Sequence, residues 1–354
     1  MTLFTASVLE EPFQLPNCTC RIAHDDMNLF NAITIIGVLP VLAFIGLLSN
    51  LVNIWVYQRG HTSAERYLMA LSLSDFGVCM SGILVIAADS LRAHNFYVDQ
   101  IFVILLPKLI PFGLFFQMTS IYVTVAAAVD CYIAVCRPWV CFPNKFRRYC
   151  CIENANKILT FVVICTALYN VIQFGELEAV RCFSQAMAQP LYELCPTAMR
   201  LNMQYITIYR GYMYTITMAF FPFAALSALT VLIICEMHRR KDTVSQEVQV
   251  ETYKEFTAVS ETSVHDAGSP IVLVLVVVLN LGCSFISLLV NVCDMFEDAL
   301  SHDVQMALID IGNLLVVFNA TANFVIYSST SPTYRDRVRE LFKVPAKTPS
   351  KTPV

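Results

Sequence analysis

The sequence predicts an all-α membrane protein, a bundle of seven transmembrane helices with a short amphipathic cytoplasmic helix after the last span. Three observations predict it: seven long apolar stretches, basic side chains gathered on one side of them, and a composition 57% hydrophobic and only 14% charged over 354 residues. The stretches run Leu29–Tyr57, Tyr67–Leu91, Ile101–Val135, Ala155–Phe174, Tyr205–Met237, Ile271–Cys293 and Val304–Tyr327. Each reaches the roughly 20 residues a helix needs to cross about 30 Å of hydrocarbon. An odd number of spans puts the two ends in opposite compartments.

Orientation follows from Lys and Arg in the short loops. Of the 23, seventeen fall on one side, from Arg59 to Lys351, and only Arg21, Arg92, Arg181 and Arg200 on the other; Lys108 and Arg210 lie within spans. A multi-pass protein of the plasma membrane is expected, its N-terminus outside and its C-terminus cytoplasmic. No basic n-region with a short h-region precedes Asn17, so the first span is expected to act as the insertion signal. The net charge of −4 hides an asymmetry, because most outward residues that ionise are acids, among them Asp89, Asp99, Glu176, Glu193 and Asp294. An acidic mouth would concentrate cationic ligands and speed their arrival. Ordinary solvated loop charge accounts for the same residues equally well.

The chain divides into an extracellular tail (1–28), a seven-span membrane domain (29–330) and a cytoplasmic segment (331–354). The loop His238–Pro270 is the one long polar insertion, without a helical stripe, and is read as mobile. After the Ser331-Pro332 break, Tyr334, Val338, Leu341 and Phe342 share one face of a helix that would lie on the inner leaflet, its arginines toward anionic lipid headgroups. The Lys-Thr-Pro tail that follows is expected to be disordered. Fourteen cysteines are too scattered for a disulfide scaffold; only Cys18, Cys20, Cys182 and Cys195 face outward. Asn17-Cys18-Thr19 is a glycosylation sequon on the outer side.

A charge near the membrane centre costs about 2.5–3.5 kcal/mol on insertion scales, so it should face protein or water and have a use. Asp75 is the clearest case; Asn50 and Asn53 sit mid-span in the first stretch, and Ser120, Asn319 and Asn323 lie at depths that could meet Asp75. A carboxylate ringed by hydroxyl and amide oxygens suits a small hard cation such as sodium. Spacing alone favours the alternative, an interhelical hydrogen-bond cluster serving packing, at about 0.6 kcal/mol per contact.

Several strings resemble one family. Asp130-Cys131-Tyr132-Ile133-Ala134-Val135-Cys136-Arg137-Pro138 resembles the cytoplasmic end of the third helix in rhodopsin-like (class A) G-protein-coupled receptors; Leu71–Asp75 and Asn50 resemble their second- and first-helix motifs. Asn323-Phe324-Val325-Ile326-Tyr327 resembles their seventh-helix motif, with phenylalanine in place of proline. Within the class, Gln117–Val125, Tyr169–Glu176, Pro196–Asn202 and Asn313–Ala320 are most similar to invertebrate FMRFamide-type neuropeptide receptors. The resemblance covers about residues 40–342. It implies a receptor for an extracellular amidated peptide, signalling through a heterotrimeric G protein. It also implies that Asp75, Ser120, Asn319 and Asn323 form an allosteric sodium pocket, and that Asp130, Cys131, Tyr132 and Tyr327 belong to the activation and coupling machinery.

Three departures fall on that machinery. Cys131 stands where the family has arginine, and a thiol offers one weak donor in place of a charged five-donor fork. The expected consequence is weakened coupling. The sixth span has no proline between Ile271 and Cys293, so a common cause of helix kinks is missing. No cysteine occurs between Cys79 and Cys131, so the family's bond from helix three to the second outer loop has no partner here. Cys182 is expected to pair with Cys195, closing a loop at about 3 kcal/mol. Free thiols or bonds to Cys18 or Cys20 are the alternatives, since connectivity does not follow from sequence.

Two classes of function result. A peptide receptor would draw ligand contacts from Asp89, Gln117, Gln173, Glu176 and Asp294, because an Arg-Phe-amide end needs an acid for its guanidinium and amide acceptors for its cap. A small lipid-like pheromone is the variant ligand, given a largely apolar pocket. The other class is a non-signalling dimer partner or decoy, supported by Cys131. Transporter design, with inverted repeats and broken helices, finds no match. Neither an enzyme motif nor a structural or catalytic metal set is visible, the six histidines lie outside the spans, and no nucleic-acid partner is expected.

Overall fold

A computed structural model of the chain describes residues 15–20, 29–87, 95–136, 151–185, 187–247, 270–293 and 301–342. Its helices are α1 (Leu29–Tyr57), α2 (Ser63–Ser81, extended through Gly82–Ala87), α3 (Phe96–Cys136), α4 (Ile152–Asn170, ending in the 3-10 turn Val171–Gly175) and α5 (from Tyr205 to Phe221–Glu247). They are followed by α6 (Pro270–Cys293), α7 (His302–Thr330) and α8 (Pro332–Phe342). Six of these are long and apolar enough to cross a membrane, and the 24-residue apolar α6 makes the seventh of the bundle. The loop 248–269 and the tail 343–354 lie outside the described residues.

Local chemistry sets the helix ends. Thr62 and Glu65 form a reciprocal capping box that starts α2: Thr62 Oγ1 accepts from the Glu65 N–H at 3.2 Å, and Glu65 Oε2 accepts from the Thr62 N–H at 3.1 Å. Ser331, held extended by Pro332, ends α7 and lets α8 turn away. Close approach is secured by two glycines. A Cβ at Gly46 would collide with Cys79 and Thr321, and one at Gly77 with the Phe116 ring. Small residues at helix crossings serve this purpose where lipid removes the hydrophobic drive between helices.

The end of the bundle away from α8 carries a feature that an all-α reading leaves out. Strands β1 (Leu177–Ser184) and β2 (Gln189–Pro196) form an antiparallel hairpin. Residues 15–20 add a short parallel partner: the Cys18 N–H donates to Phe183 O at 3.2 Å, and the Phe183 N–H to Pro16 O at 2.9 Å.

Here the expected Cys182–Cys195 bond is corrected. The bonds are Cys18–Cys182 and Cys20–Cys195, with Cα separations of 5.0 and 5.3 Å. The register explains it: Cys182 lies opposite Leu191 and Cys195 opposite Glu178. Four strand positions, about 13 Å, separate the two cysteines, nearly twice the Cα distance a disulfide spans.

Candidate ligand and ion site

Within the bundle, walled by α2, α3, α5, α6 and α7, lies a cavity of about 340 Å³. Gln117, Asn280, Ser284 and Asn313 give it amide and hydroxyl groups, Leu114, Ile121, Met218 and Val316 give it apolar wall, and Asp75, Ser120 and Asn319 also line it. Gln117 therefore stands in the cavity, as the sequence reading had it for a ligand contact.

Asp75 is 1% exposed. Its carboxylate accepts from Ser120 Oγ at 2.6 Å and from Asn323 Nδ2 at 2.8 Å. The second helix thus meets both the third and the seventh through this carboxylate. Two buried oxygens nearby, Asn319 Oδ1 and Asn323 Oδ1, find no hydrogen-bond partner among the described residues. A carboxylate, a hydroxyl and two unsatisfied amide oxygens make a hard-oxygen donor set that fits a small cation, and such orphaned acceptors are otherwise costly to bury.

Beside it, Asn50 Nδ2 donates to Ala320 O at 2.9 Å and to Gly46 O at 3.0 Å. Asn53 Nδ2 donates to Asn50 Oδ1 at 3.4 Å, and Tyr334 Oη donates to Asn53 Oδ1 at 2.5 Å. A hydrogen-bonded chain from α8 through α1 to α7 results, which the sequence did not announce because Tyr334 read as an interfacial residue.

Glu176 does not await a ligand guanidinium. It is 2% exposed, and both of its oxygens are taken. Oε1 accepts from Tyr205 Oη at 2.7 Å and Arg210 Nε at 3.1 Å; Oε2 accepts from Arg200 Nη1 at 2.6 Å and pairs with Arg210 Nη2 at 2.8 Å. Burial works to raise this carboxyl, but the bonds from Arg210 and Tyr205 and the two positive charges outweigh it and hold the group below the ordinary carboxylate range. This corrects the acceptor role expected of Glu176, since a carboxylate offers about four lone-pair sites and all are used. Gln173 is 4% exposed, and its Oε1 has no hydrogen-bond partner among the described residues. Asp89 and Asp294 lie outside the described residues.

One side chain holds the hairpin against α3. Gln100 Nε2 donates to Tyr192 O at 3.2 Å, and the Tyr192 N–H donates to Gln100 Oε1 at 2.6 Å. Asn17 is exposed, next in sequence to the disulfide-bonded Cys18.

At the opposite end, Cys131 is packed into the core at 7% exposure, among Tyr57, Tyr67, Val123 and Tyr327. Asp130, 9% exposed, accepts from Ser63 Oγ of α2 at 2.8 Å. Tyr132 is half-buried against the same cluster. Tyr327 is fully buried, with its ring edge-on to Tyr57 at 5.3 Å and tilted to Tyr334 at 5.8 Å. Arg337 of α8 pairs with Glu65 of α2 at 2.6 Å.

No protein-family model matches the chain. Several curated proteins resemble it over most of its length. The probable G-protein coupled receptor frpr-1 of Caenorhabditis elegans is 29% identical over 328 residues, which cover 88% of this chain and 79% of that receptor. The FMRFamide receptor of Drosophila melanogaster is 27% identical over 302 residues, 83% of this chain and half of that receptor's own length. The FMRFamide peptide receptor frpr-18 of Caenorhabditis elegans is 23% identical over 316 residues, 86% of this chain and 68% of that one. These relatives carry the names of receptors rather than enzymes, and they are of the type that the helix-end motifs resemble.

Proposed function

We propose that the chain is a plasma-membrane receptor that binds an amidated neuropeptide of the FMRFamide type at the hairpin end and passes the signal to a heterotrimeric G protein at the α8 end. The observation that carries this reading is the cavity within the bundle, in a chain whose relatives include proteins named FMRFamide receptors. Its amide groups suit a terminal carboxamide, which both donates and accepts, and its apolar wall suits an aromatic side chain. The charge asymmetry supports an outward N-terminus. Residues 1–28 would then be the outer tail, 29–330 the receptor domain and 331–354 the inner segment, with Asn17 on the glycosylated side and the arginines of α8 toward lipid headgroups.

Sodium would be held by Asp75, Ser120, Asn319 and Asn323 at the cavity floor, where it would neutralise the buried carboxylate. The donor set fits it, since Ser120 and Asn323 spend their hydrogens on Asp75 and leave oxygens for a cation.

One observation favours a second reading, a non-signalling dimer partner or decoy. Cys131 is buried and Asp130 is already satisfied by Ser63, so no guanidinium stands ready at that position for a G protein. Native and Cys131→Arg receptors, matched for surface expression, are to be challenged with amidated peptides while G-protein activation is recorded. A response from the native chain excludes the decoy reading. A response from the arginine variant alone assigns the silence to Cys131. Peptide binding by neither rejects the neuropeptide reading.

A further inference from the structure

We propose that Arg200 and Arg210 form a subsite for an anionic group of the ligand, an acidic side chain lying upstream of the amidated end. The inference rests on the amidated-peptide reading and names a specificity element within it.

The charge count at Glu176 carries the argument. Two guanidinium groups converge on one carboxylate, so the cluster holds one uncompensated positive charge. Glu176 is the acid that both arginines pair with among the described residues. It is also saturated, with a donor on every lone-pair site, so it cannot take up further positive charge from a ligand. The arginines are not saturated. Arg200 spends one of its nitrogens on Glu176 and Arg210 two, while each fork carries five N–H donors. Their side chains are 32% and 35% exposed, whereas Glu176 is buried beneath them. The anchored carboxylate fixes both forks in place, and a preset planar fork is the geometry that recognises a second carboxylate with two parallel bonds.

Position links this pair to the cavity. Arg210 and Tyr214 are one turn apart on α5, and Tyr214 lines the cavity. Arg200 stands in the link between β2 and α5. A peptide with its amide end in the cavity that extends along α5 toward the β2–α5 link would pass the two arginines. A ligand acid there would meet a partly solvated, immobilised positive charge. That contact is stronger than an exposed surface pair and weaker than a fully buried one.

The test compares two amidated probe peptides ending in Arg-Phe-amide, one with Glu and one with Gln at a single upstream position. The substitution is scanned over four positions, and binding is read directly on intact cells. At one position the Glu peptide should bind roughly three- to tenfold more tightly to the native receptor, the range set by partly exposed charge-assisted bonds. Arg200→Gln and Arg210→Gln should each reduce that preference, read as the ratio of Glu- to Gln-peptide affinity within the same variant; Arg200→Lys and Arg210→Lys should retain most of it. Equal binding of Glu and Gln peptides at every position overturns the subsite while leaving the receptor reading intact, and needs no variant to fold. A preference that survives in both Gln variants overturns it as well. Failure of every probe to bind the native receptor rejects the amidated-peptide reading, and the subsite with it.

Discussion

Gln100 grips Tyr192 by both polar groups of its backbone, accepting from the N–H at 2.6 Å and donating to the carbonyl at 3.2 Å. One side chain thus behaves as an extra strand residue, and it joins the outer end of α3 to β2. The family that the chain resembles makes this connection covalently, from a cysteine that this α3 does not have.

Replacing Gln100 by leucine keeps the bulk and removes both bonds. The site is partly solvated, so the loss should be about 1 kcal/mol, near the middle of the range for neutral hydrogen bonds. The expected result is a melting temperature lower by a few degrees in purified receptor. An unchanged value would mean that water replaces the clamp without cost.

Ser63 and Asp130 make a prediction at the other end. Ser63→Ala strips a buried carboxylate of its hydroxyl donor and should destabilise the receptor by about 1–3 kcal/mol. Adding Cys131→Arg to that background gives Asp130 an adjacent charged partner. The two changes should therefore be non-additive in a double-mutant cycle, by more than about 0.5 kcal/mol. Strict additivity would show that residue 131 does not reach Asp130.

Sodium binding to the native fold should raise its thermal stability by mass action. Melting in sodium chloride against choline chloride at equal ionic strength reads this directly. Native receptor should be more stable in sodium, and Asp75→Asn should show no difference between the salts. A sodium effect that persists in the Asn variant would move the ion elsewhere.

Acid should loosen the hairpin end. The Glu176 carboxyl is held below its ordinary value by Arg210, Tyr205 and Arg200, against the upward push of burial. A lowered folded-state value contributes stability that is complete above the unfolded carboxyl value of about 4.3 and is lost as pH falls through the folded one. Native receptor should therefore exceed Glu176→Gln in stability at neutral pH, with the gap closing only in acid below that value. A gap that is independent of pH would assign the effect to packing.

The spans were legible because hydrocarbon makes a local demand: about 20 apolar residues in a row, whatever else the chain does. Val304–Tyr327, read from hydropathy, lies inside His302–Thr330 with three residues to spare at the C-terminal end. The Asp75 cluster was reachable as well, since a lone acid in an apolar run calls for partners and few polar residues share its depth. Partnership across long separations was not legible. Glu176 announced an acid near the mouth, but the arginines that consume it lie 24 and 34 residues away, and nothing in the order of the chain assigns them. The hairpin carried little signal: in Leu191-Tyr192-Glu193-Leu194-Cys195 the buried side bears a glutamate and the other side apolar residues, so burial alternates in the fold without a matching alternation of hydropathy. The disulfides, at separations of 164 and 175, depend on a register that only the folded hairpin defines.

Those two separations also bear on how the molecule is made. Cys18 and Cys20 are synthesised first, yet their partners emerge only after four helices have been threaded through the membrane. With the N-terminus outside, as proposed above, both cysteines would have to remain unpaired in an oxidising compartment until then, or exchange out of earlier bonds. The bonded tail therefore serves as a record of completed assembly. A molecule that carries both bonds has already joined its N-terminal segment to the hairpin that follows the fourth helix, and one that lacks them would leave four thiols open to other pairings.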